Sequence, residues 1–356
     1  MRIALVASLV SPIRAAEANG PHSVILDVAG GLAARGHAVT VYAADGSAAR
    51  DVQIVEIPVE PTAKGAELRF DGGPDDHATA ALNRGILRLF ARLRSDAPDV
   101  ISQHAFDAAA IGLAEGMPVL HTLHMPPVEG AVLAAARATR TSLATVSDAS
   151  RAAWQRAGIA ELAVLRNGVP DRAPARGAIV PVGLVAGRIS PEKGTHIAIR
   201  AARAAGLAVL VAGDAYDTRY FTDMVEPLLR PGEWIGPVPR EELFQLMARS
   251  AVLLMPVRWD EPFGLVAAEA QMAGCPVVGY RRGALPEIVR HGIGGWLVEP
   301  EDEDALVSAV YLARGLDRSS IRARAQKTLG VDRMVGAYER ALTALAARYR
   351  HAKLAS

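Results

Sequence analysis

The chain has 356 residues, of which 51% are apolar, and a formal net charge of +1. This length predicts two domains, the apolar content excludes a disordered protein, and the balanced charge gives no support to nucleic-acid binding. A single cysteine, Cys275, excludes an intrachain disulfide and a cysteine-cluster zinc site, and its apolar neighbours predict a buried, inert thiol. No apolar run reaches the ~18 residues of a membrane span. Because no signal peptide precedes the first strand pattern, we expect a cytoplasmic protein.

Apolar runs alternate with helical patterns along the first half of the chain. A helix over residues 23–35 is predicted between two strands and ends at Gly36, which suits a C-cap. The strands of this half are predicted at residues 2–7, 38–43, 53–57, 100–103, 119–122, 142–146 and 163–165. Such alternation predicts right-handed βαβ units and a parallel sheet.

The pattern restarts after a linker at residues 171–178. The strands of the second half are predicted at residues 182–186, 208–212, 234–235, 251–255, 277–279 and 296–298. The chain is therefore predicted to hold two doubly wound α/β domains, residues 1–172 and 178–330, which bind ligands at the carboxyl ends of their strands.

Arginines recur every four residues in the helical segment 82–94, at Arg84, Arg88 and Arg92, opposite a row of apolar side chains. Such a helix can pack on a sheet with its arginines in water, or lie on anionic lipid. The packed helix is favoured, because three arginines supply little attraction to lipid. Peripheral membrane contact is therefore possible but not favoured.

The segment Glu261-Pro-Phe-Gly-Leu-Val-Ala-Ala-Glu269 places two carboxylates on either side of seven residues. Because proline suits the first helical position, a helix is predicted to start at Pro262. Glu261 would lie at its mouth and Glu269 about two turns further in, with the side chains ~80° apart around the axis. Free N–H groups of residues 263–265 would face an anion. A nucleotide sugar, with hydroxyls at both ends and phosphates between them, fits this arrangement.

Arg188 and Lys193 follow the predicted strand 182–186 in a glycine-flanked loop. Their spacing lets both reach one diphosphate, arginine gripping two oxygens and lysine acting as a point charge. Fixed cations stabilise the negative charge that a departing nucleoside diphosphate gains in the transition state.

Five ordered motifs span residues 187–298: Gly187-Arg-Ile-Ser-Pro-Glu-Lys-Gly194, the E-x7-E segment, Ala273-Gly-Cys-Pro-Val-Val278, Gly283-Ala-Leu-Pro-Glu-Ile-Val289 and Gly292-Ile-Gly-Gly-Trp-Leu-Val298. Together they resemble glycosyltransferase family 4, retaining enzymes of the GT-B fold, and the first half of the chain resembles it more loosely. Residues 212–221 and 258–262 resemble a bacterial subgroup that includes an avilamycin-pathway glycosyltransferase.

This resemblance implies two Rossmann-like domains facing across a cleft, the first handling the acceptor and the second the nucleotide-sugar donor. The helical pattern at residues 331–350 would pack back on the first domain. The family moves a sugar from a nucleotide diphosphate, most often UDP with GDP possible, to a hydroxyl of a small molecule, lipid or glycan. We expect no metal and no cofactor.

The resemblance also assigns site residues by position. Glu261 contacts donor-sugar hydroxyls, Glu269 binds the ribose, and His124 lies beside the donor sugar, while the base lies near residues 236–238. The expected catalytic residues are His124, Arg188, Lys193 and Glu261. The expected donor-binding residues are Gly20, His104, Gly187, Val238, Phe263, Gly264, Leu265 and Glu269. Structural roles are predicted for His37, for an inward-facing His121 and for the Asn167-Gly168 turn.

The segment Asn19-Gly20-Pro21-His22 departs from the family, which often carries a glycine pair there, and Pro21 lacks an N–H. Its contact with the diphosphate therefore stays open, as does a catalytically degenerate nucleotide-sugar-binding subunit. A sugar-nucleotide epimerase would need an acid/base set that the chain does not display. Glycosidase chemistry fits poorly, because the two glutamates would lie ~12 Å apart along one helix. A Rossmann oxidoreductase would carry G-x-G-x-x-G in the first turn, and this chain does not.

Overall fold

A computed structural model of the protein describes residues 1–14, 20–66, 75–174 and 177–355. The chain forms two compact units. Unit 1 consists of Met1–Val146, Ser150–Arg166 and Met334–Ser356, and unit 2 consists of Ser147–Ala149 and Asn167–Arg333. Each unit is a parallel sheet with helices, so the predicted fold class of two doubly wound α/β domains is confirmed.

Unit 1 is built on parallel strands whose apolar side chains are buried. The strands are β1 (Arg2–Val6), β2 (Ala38–Ala44), β3 (Gln53–Ile57), β4 (Val100–Gln103), β5 (Val119–Leu123), β6 (Ser142–Thr145) and β7 (Ala163–Val164). In the described ranges they form one sheet in the order β3-β2-β1-β4-β5-β6-β7. The order reverses between β1 and β4, and the ends of strands at such a switch point are where ligands gather in open α/β sheets.

The helices of the first half are α1 (Gly20–Ala34), α2 (Asp76–Asp96), α3 (Ala108–Gly112), α4 (Gly130–Ala138) and α5 (Asp148–Arg156). Helix α1 begins three residues before the predicted start, so Gly20 and Pro21 belong to its first turn rather than to a loop. Pro21 is tolerated there because the first N–H groups of a helix have no partner within it. Asn19, the first residue of the atypical segment, lies outside the described residues. Gly36 takes the left-handed conformation of a C-cap, with φ +85.

Helix α2 packs its apolar row into the core of unit 1, with Leu82, Ile86 and Leu89 each at most 3% exposed. Arg84 donates two hydrogen bonds to the Glu60 carboxylate, at 2.7 and 2.6 Å. Arg92 donates to Asp96 one turn further on. The arginines thus bind carboxylates of the protein surface, in agreement with the packed-helix interpretation. No helix in the described part of the chain is both long and apolar enough to cross a membrane.

The last helix, α13 (Val331–Ala355), belongs to unit 1 from Met334 onward. The Glu339 carboxylate accepts a hydrogen bond from Arg35 Nη1 at 2.7 Å and binds His37 Nε2 at 3.0 Å. Tyr338 is fully buried and its hydroxyl lies 3.2 Å from Thr122 Oγ1. His37 therefore joins the start of β2 to α13, which is the structural role predicted for it.

Unit 2 repeats the architecture with fewer strands. They are β8 (Val180–Ala186), β9 (Ala208–Ala212), β10 (Ser250–Met255), β11 (Val277–Tyr280) and β12 (Gly295–Val298). Where the structure describes this unit, they pair in parallel in the order β12-β11-β10-β8-β9. The order reverses between β8 and β10, so the loops after these two strands leave the sheet at the switch point.

The helices of unit 2 are α6 (Thr195–Ala204), α7 (Thr218–Tyr220), α8 (Arg240–Arg249), α9 (Leu265–Met272), α10 (Leu285–Ile288), α11 (Glu303–Ala313) and α12 (Arg318–Leu329). The predicted strand at residues 234–235 is wrong, because Trp234 forms only an isolated bridge with Val211. A glycine in the left-handed conformation lies on each side of this segment, Gly232 with φ +83 and Gly236 with φ +69. They leave too few extended residues for a strand.

Burial of histidines predicts a pH-dependent stability. In the described part of unit 1, burial lowers the pKa of His22, His121 and His124 to about 4 and that of His104 well below its ordinary value. These rings stay neutral in the fold while the unfolded chain takes up protons below about pH 6.5. The free energy of unfolding should therefore fall as the pH drops from about 6.5 towards 4, by up to about 1.4 kcal/mol per pH unit for each histidine.

Urea unfolding as a function of pH checks this expectation. His121→Gln should flatten the dependence by about one proton, since a neutral amide replaces a group that titrates on unfolding. His351→Gln, on the exposed end of α13, is the control for replacing a histidine that is not buried. An unfolding free energy that is flat between pH 6.5 and 4 would contradict the burial of neutral imidazoles.

Candidate active site

The loops after β8 and β10 carry most of the predicted residues of unit 2. The loop after β8 begins at Gly187, whose φ of +122 suits glycine, and a Cβ there would meet nothing within 4 Å. It continues through a 3-10 turn, Pro191–Lys193, to Gly194, which precedes α6. The Arg258 N–H, in the loop after β10, donates to the Glu192 carbonyl at 2.7 Å. The two loops therefore lie against each other.

A three-residue cluster joins these loops. The Lys193 ammonium donates to Glu261 Oε2 at 2.7 Å, and the Trp259 indole N–H donates to the same oxygen at 2.7 Å. The Lys193 nitrogen also lies 4.9 Å from the centre of the Trp259 ring, within the range of a cation–π contact. The Glu261 side chain is 12% exposed, and its Oε1 makes no hydrogen bond with a described residue. The structure thus brings Lys193 and Glu261 together and adds Trp259, which sequence analysis missed.

The helix of the E-x7-E segment begins later than predicted. Helix α9 starts at Leu265, because Gly264 adopts φ +90 and acts as its N-cap. Pro262 and Phe263 belong to the preceding loop, where Phe263 is 4% exposed. Glu261 is therefore not on the helix, so the ~80° angle and the ~12 Å axial separation expected from helix geometry do not apply. The N–H groups of the first turn of α9 remain without helical partners.

A downstream motif holds the Glu261 loop in place. The Ala284 N–H donates to the Glu261 carbonyl at 2.9 Å. A Cβ on Gly283 would overlap the backbone nitrogen and oxygen of Glu261, and the φ of Gly283 is +53. Leu285 would meet a Cβ on Gly264 at 3.0 Å. The Gly283 motif therefore packs closely against the backbone of Glu261.

Arg188 does not join the Lys193 cluster. Its Nη2 donates to Glu192 Oε1 at 3.1 Å, and its guanidinium lies 4.7 Å from the centre of the Tyr216 ring. Glu192 also accepts from the Ser190 hydroxyl at 2.6 Å. Arg188 is therefore held by its own loop and by the segment after β9, with its side chain 36% exposed.

Glu269 lies on α9 and is 9% exposed. Its Oε1 accepts a hydrogen bond from Arg240 Nε, the first residue of α8, while its Oε2 makes no hydrogen bond with a described residue. Val238 lies just before α8, in the irregular segment that starts after Gly236, and is half-buried. Arg240 was not predicted, because the sequence gives no sign that it meets a carboxylate 29 positions away.

The predicted histidines of unit 1 lie after adjacent strands. His104 Nδ1 and His124 Nε2 are 2.8 Å apart, and His104 Nε2 lies 3.0 Å from Ser102 Oγ. The Tyr338 ring of α13 stacks on His104 with centroids 5.6 Å apart. Desolvation lowers the pKa of both histidines, so they are neutral at neutral pH. His104, predicted to bind the donor, contacts His124 and is 4% exposed.

The other predicted residues of unit 1 have simpler surroundings. His121 is 1% exposed, as its strand position predicted, and burial lowers its pKa to about 4. Gly20 starts α1. Asp107, which sequence analysis missed, precedes α3 without capping it, and burial together with Glu129 raises its pKa to about 6. Within the described residues no group of three or more His, Cys, Asp or Glu could hold a metal ion.

Comparisons with known proteins identify the family of this chain. Residues 180–327 match the family model of glycosyl transferases group 1, and residues 18–172 match that of Glycosyltransferase Family 4. A D-inositol 3-phosphate glycosyltransferase of Mycolicibacterium smegmatis is 30% identical, over 98% of this chain and 93% of that protein. This chain belongs to glycosyltransferase family 4.

Solved structures share the fold of this glycosyltransferase. AviGT4, a glycosyltransferase involved in avilamycin A biosynthesis, has a TM-score of 0.72 at 23% identity, covering 97% of this chain and 98% of that one. The Anabaena protein Alr3699/HepE, in complex with UDP and glucose, has a TM-score of 0.76 at 19% identity, covering 97% and 100%. The family 4 enzyme therefore has the GT-B fold.

Replacing Gly283 should disturb the Glu261 loop. Gly283→Ala should lower the free energy of unfolding by at least about 2 kcal/mol more than Gly292→Ala, because the new methyl would overlap the Glu261 backbone. Both glycines have positive φ, +53 and +77, but a Cβ on Gly292 would meet nothing within 4 Å. Urea unfolding followed by tryptophan fluorescence measures both losses. Equal losses would mean that the Glu261 loop moves freely away from Gly283.

Trp259→Phe removes the indole N–H donor and keeps an aromatic ring near Lys193. We expect the turnover of glycosyl transfer to fall about 10-fold, since a hydrogen bond to a charged group contributes ~1.5–3 kcal/mol. Trp296→Phe is the matched control, because Trp296 Nε1 has no hydrogen-bond partner among the described residues. Steady-state kinetics of the two variants measure the loss of turnover in each. Turnover lost equally in both would assign Trp259 a packing role only.

Proposed function

We propose that this enzyme moves a hexose from a UDP-sugar to a hydroxyl of a small molecule or glycan, with retention of configuration at the anomeric carbon. The donor base, the donor sugar and the stereochemistry are parts of this proposal. The Anabaena structure with bound UDP and glucose supports UDP as the nucleotide, at the level of a shared fold. The relative from M. smegmatis acts on an inositol phosphate, which supports a polyhydroxylated acceptor.

One observation carries the donor assignment: two glutamates of unit 2 are arranged in the same way. Each gives one carboxylate oxygen to a cation of the protein, Glu261 to Lys193 and Glu269 to Arg240. The other oxygen of each makes no hydrogen bond with a described residue. A carboxylate oriented by a cation and retaining an acceptor oxygen is suited to bind sugar hydroxyls. The resemblance to the family then assigns Glu261 to the hexose and Glu269 to the ribose.

The diphosphate would bind between these two glutamates along the loop after β8. Lys193 and Arg188 supply positive charge there, and the first turn of α9 adds N–H groups. Phe263, Gly264 and Leu265 form the approach to that turn. Gly187 has no side chain, so the diphosphate could approach its backbone closely. The segment around Val238 would face the base. The residues present suit an anion without calling for a metal ion.

The reaction follows from these roles. The bond from the anomeric carbon to the phosphate oxygen breaks, and the nucleoside diphosphate leaves with an additional negative charge, which Lys193 and Arg188 stabilise more than they stabilise the intact donor. The acceptor oxygen forms the new bond on the same face of the sugar. Its proton passes to the departing phosphate oxygen, so no side chain has to act as base. His124 contacts the reacting sugar as a neutral imidazole.

Titration calorimetry with UDP, GDP, ADP and dTDP, without added metal, tests the donor assignment. UDP should bind most tightly, and Lys193→Ala should weaken its binding and lower turnover by ~2–4 kcal/mol of lost transition-state stabilisation. Lys327→Ala, an exposed lysine of the same unit, is the control. Failure of all four nucleotides to bind would favour a catalytically degenerate subunit. Tightest binding of GDP would keep the reaction and change the donor.

A further inference from the structure

We infer that Ser102 and His104 fix the tautomer of His124, so that its Nδ1 carries the proton and donates a hydrogen bond to a substrate oxygen. Ser102 and His104 are positioning residues in this scheme, and His124 is the group that touches substrate. The inference rests on the proposed function for the identity of the oxygen. The tautomer itself is a property of unit 1 alone.

The chain of contacts leaves two ways to place the protons. His104 uses both ring nitrogens, Nε2 towards Ser102 Oγ at 3.0 Å and Nδ1 towards His124 Nε2 at 2.8 Å. Each neutral imidazole has one N–H and one acceptor nitrogen. Either Ser102 donates to His104 and His104 donates to His124, or all the donations run in the opposite direction.

Ser102 decides between the two directions. Its side chain is completely buried, and its hydroxyl has no other hydrogen-bond partner among the described residues. If His104 donated to Ser102, the hydroxyl proton would be buried without an acceptor, which costs free energy. When Ser102 donates, the hydroxyl proton and both nitrogens of His104 are satisfied. The favoured direction therefore runs from Ser102 to His104 to His124.

This direction determines the chemistry of His124. Its Nε2 accepts from His104, so the single proton of the neutral ring must be on Nδ1. Nδ1 makes no hydrogen bond with a described residue, and the residue as a whole is 8% exposed. A neutral N–H donor stabilises an oxygen that gains negative charge, and it cannot remove a proton from the acceptor. His124 is thereby excluded as the general base.

The surroundings of His104 preserve the arrangement. Tyr338 stacks on the His104 ring, and the Tyr338 hydroxyl binds Thr122 at 3.2 Å. The His104 ring thus has polar contacts at both nitrogens and an aromatic neighbour in α13. Rotation of the ring would break both hydrogen bonds at once.

Long-range ¹H–¹⁵N correlation spectra of histidine-labelled protein at neutral pH test the inference without any substrate. In the wild type the His124 signals, assigned by their loss in His124→Gln, should show the proton on Nδ1. Ser102→Ala should give a mixture of tautomers, and Ser102→Thr, which keeps the hydroxyl, should restore the single form. His121→Gln, which replaces a buried histidine within β5, should leave the His124 signals unchanged.

Kinetics supply the second readout. Ser102→Ala should lower kcat about two- to fivefold with KM for the donor unchanged, because only the fraction of molecules with the productive tautomer reacts. A wild-type His124 protonated on Nε2, or a Ser102→Ala variant with unchanged tautomer, would overturn the inference. These spectra stay interpretable even if no UDP-sugar is ever transferred, so failure of the proposed function is a separate result.

Discussion

The carboxylate of Glu261 is the constraint on which the arrangement of unit 2 depends. One of its oxygens accepts hydrogen bonds from Lys193 and from Trp259, and its backbone rests on Gly283 and Ala284. Three segments that are distant in sequence, the loops after β8, β10 and β11, therefore meet at one residue. A partly buried charge is stable only when its partners are fixed, so the carboxylate and its loops order one another.

The buried polar cluster of unit 1, by contrast, consists of neutral groups. Ser102, His104, His124 and Tyr338 are buried at the carboxyl ends of β4 and β5, where charge would be costly. Burial keeps both imidazoles uncharged, and hydrogen bonds fix their orientation. The two clusters thus differ in their chemistry: the one around Glu261 in unit 2 is ionic, and the one around His104 in unit 1 is uncharged. This division suits a reaction in which charge develops on the leaving group.

The sequence predicted the sheets well because buried parallel strands are recognisable as apolar runs. The strands at residues 53–57, 100–103 and 208–212 have the predicted bounds. The start of α9 was wrong, because Pro262 was placed at the first helical position whereas Gly264 supplies the N-cap. The partners Trp259, Arg240 and Ser102 could not be predicted. Their roles depend on contacts that only the fold creates, such as that between Lys193 and Glu261, 68 positions apart.

The membership of α13 in unit 1 has a consequence for how this protein is made. Unit 1 contains residues from both ends of the chain, and Tyr338 reaches His104 only after every residue of unit 2 has been synthesised. During translation, unit 2 has its complete set of residues first, while the sheet of unit 1 still lacks α13, whose Tyr338 contacts Thr122 of β5. The stack of Tyr338 on His104 is therefore assembled last, and a ribosome that stops shortly before Met334 releases a chain with all the residues of unit 2 and an incomplete unit 1.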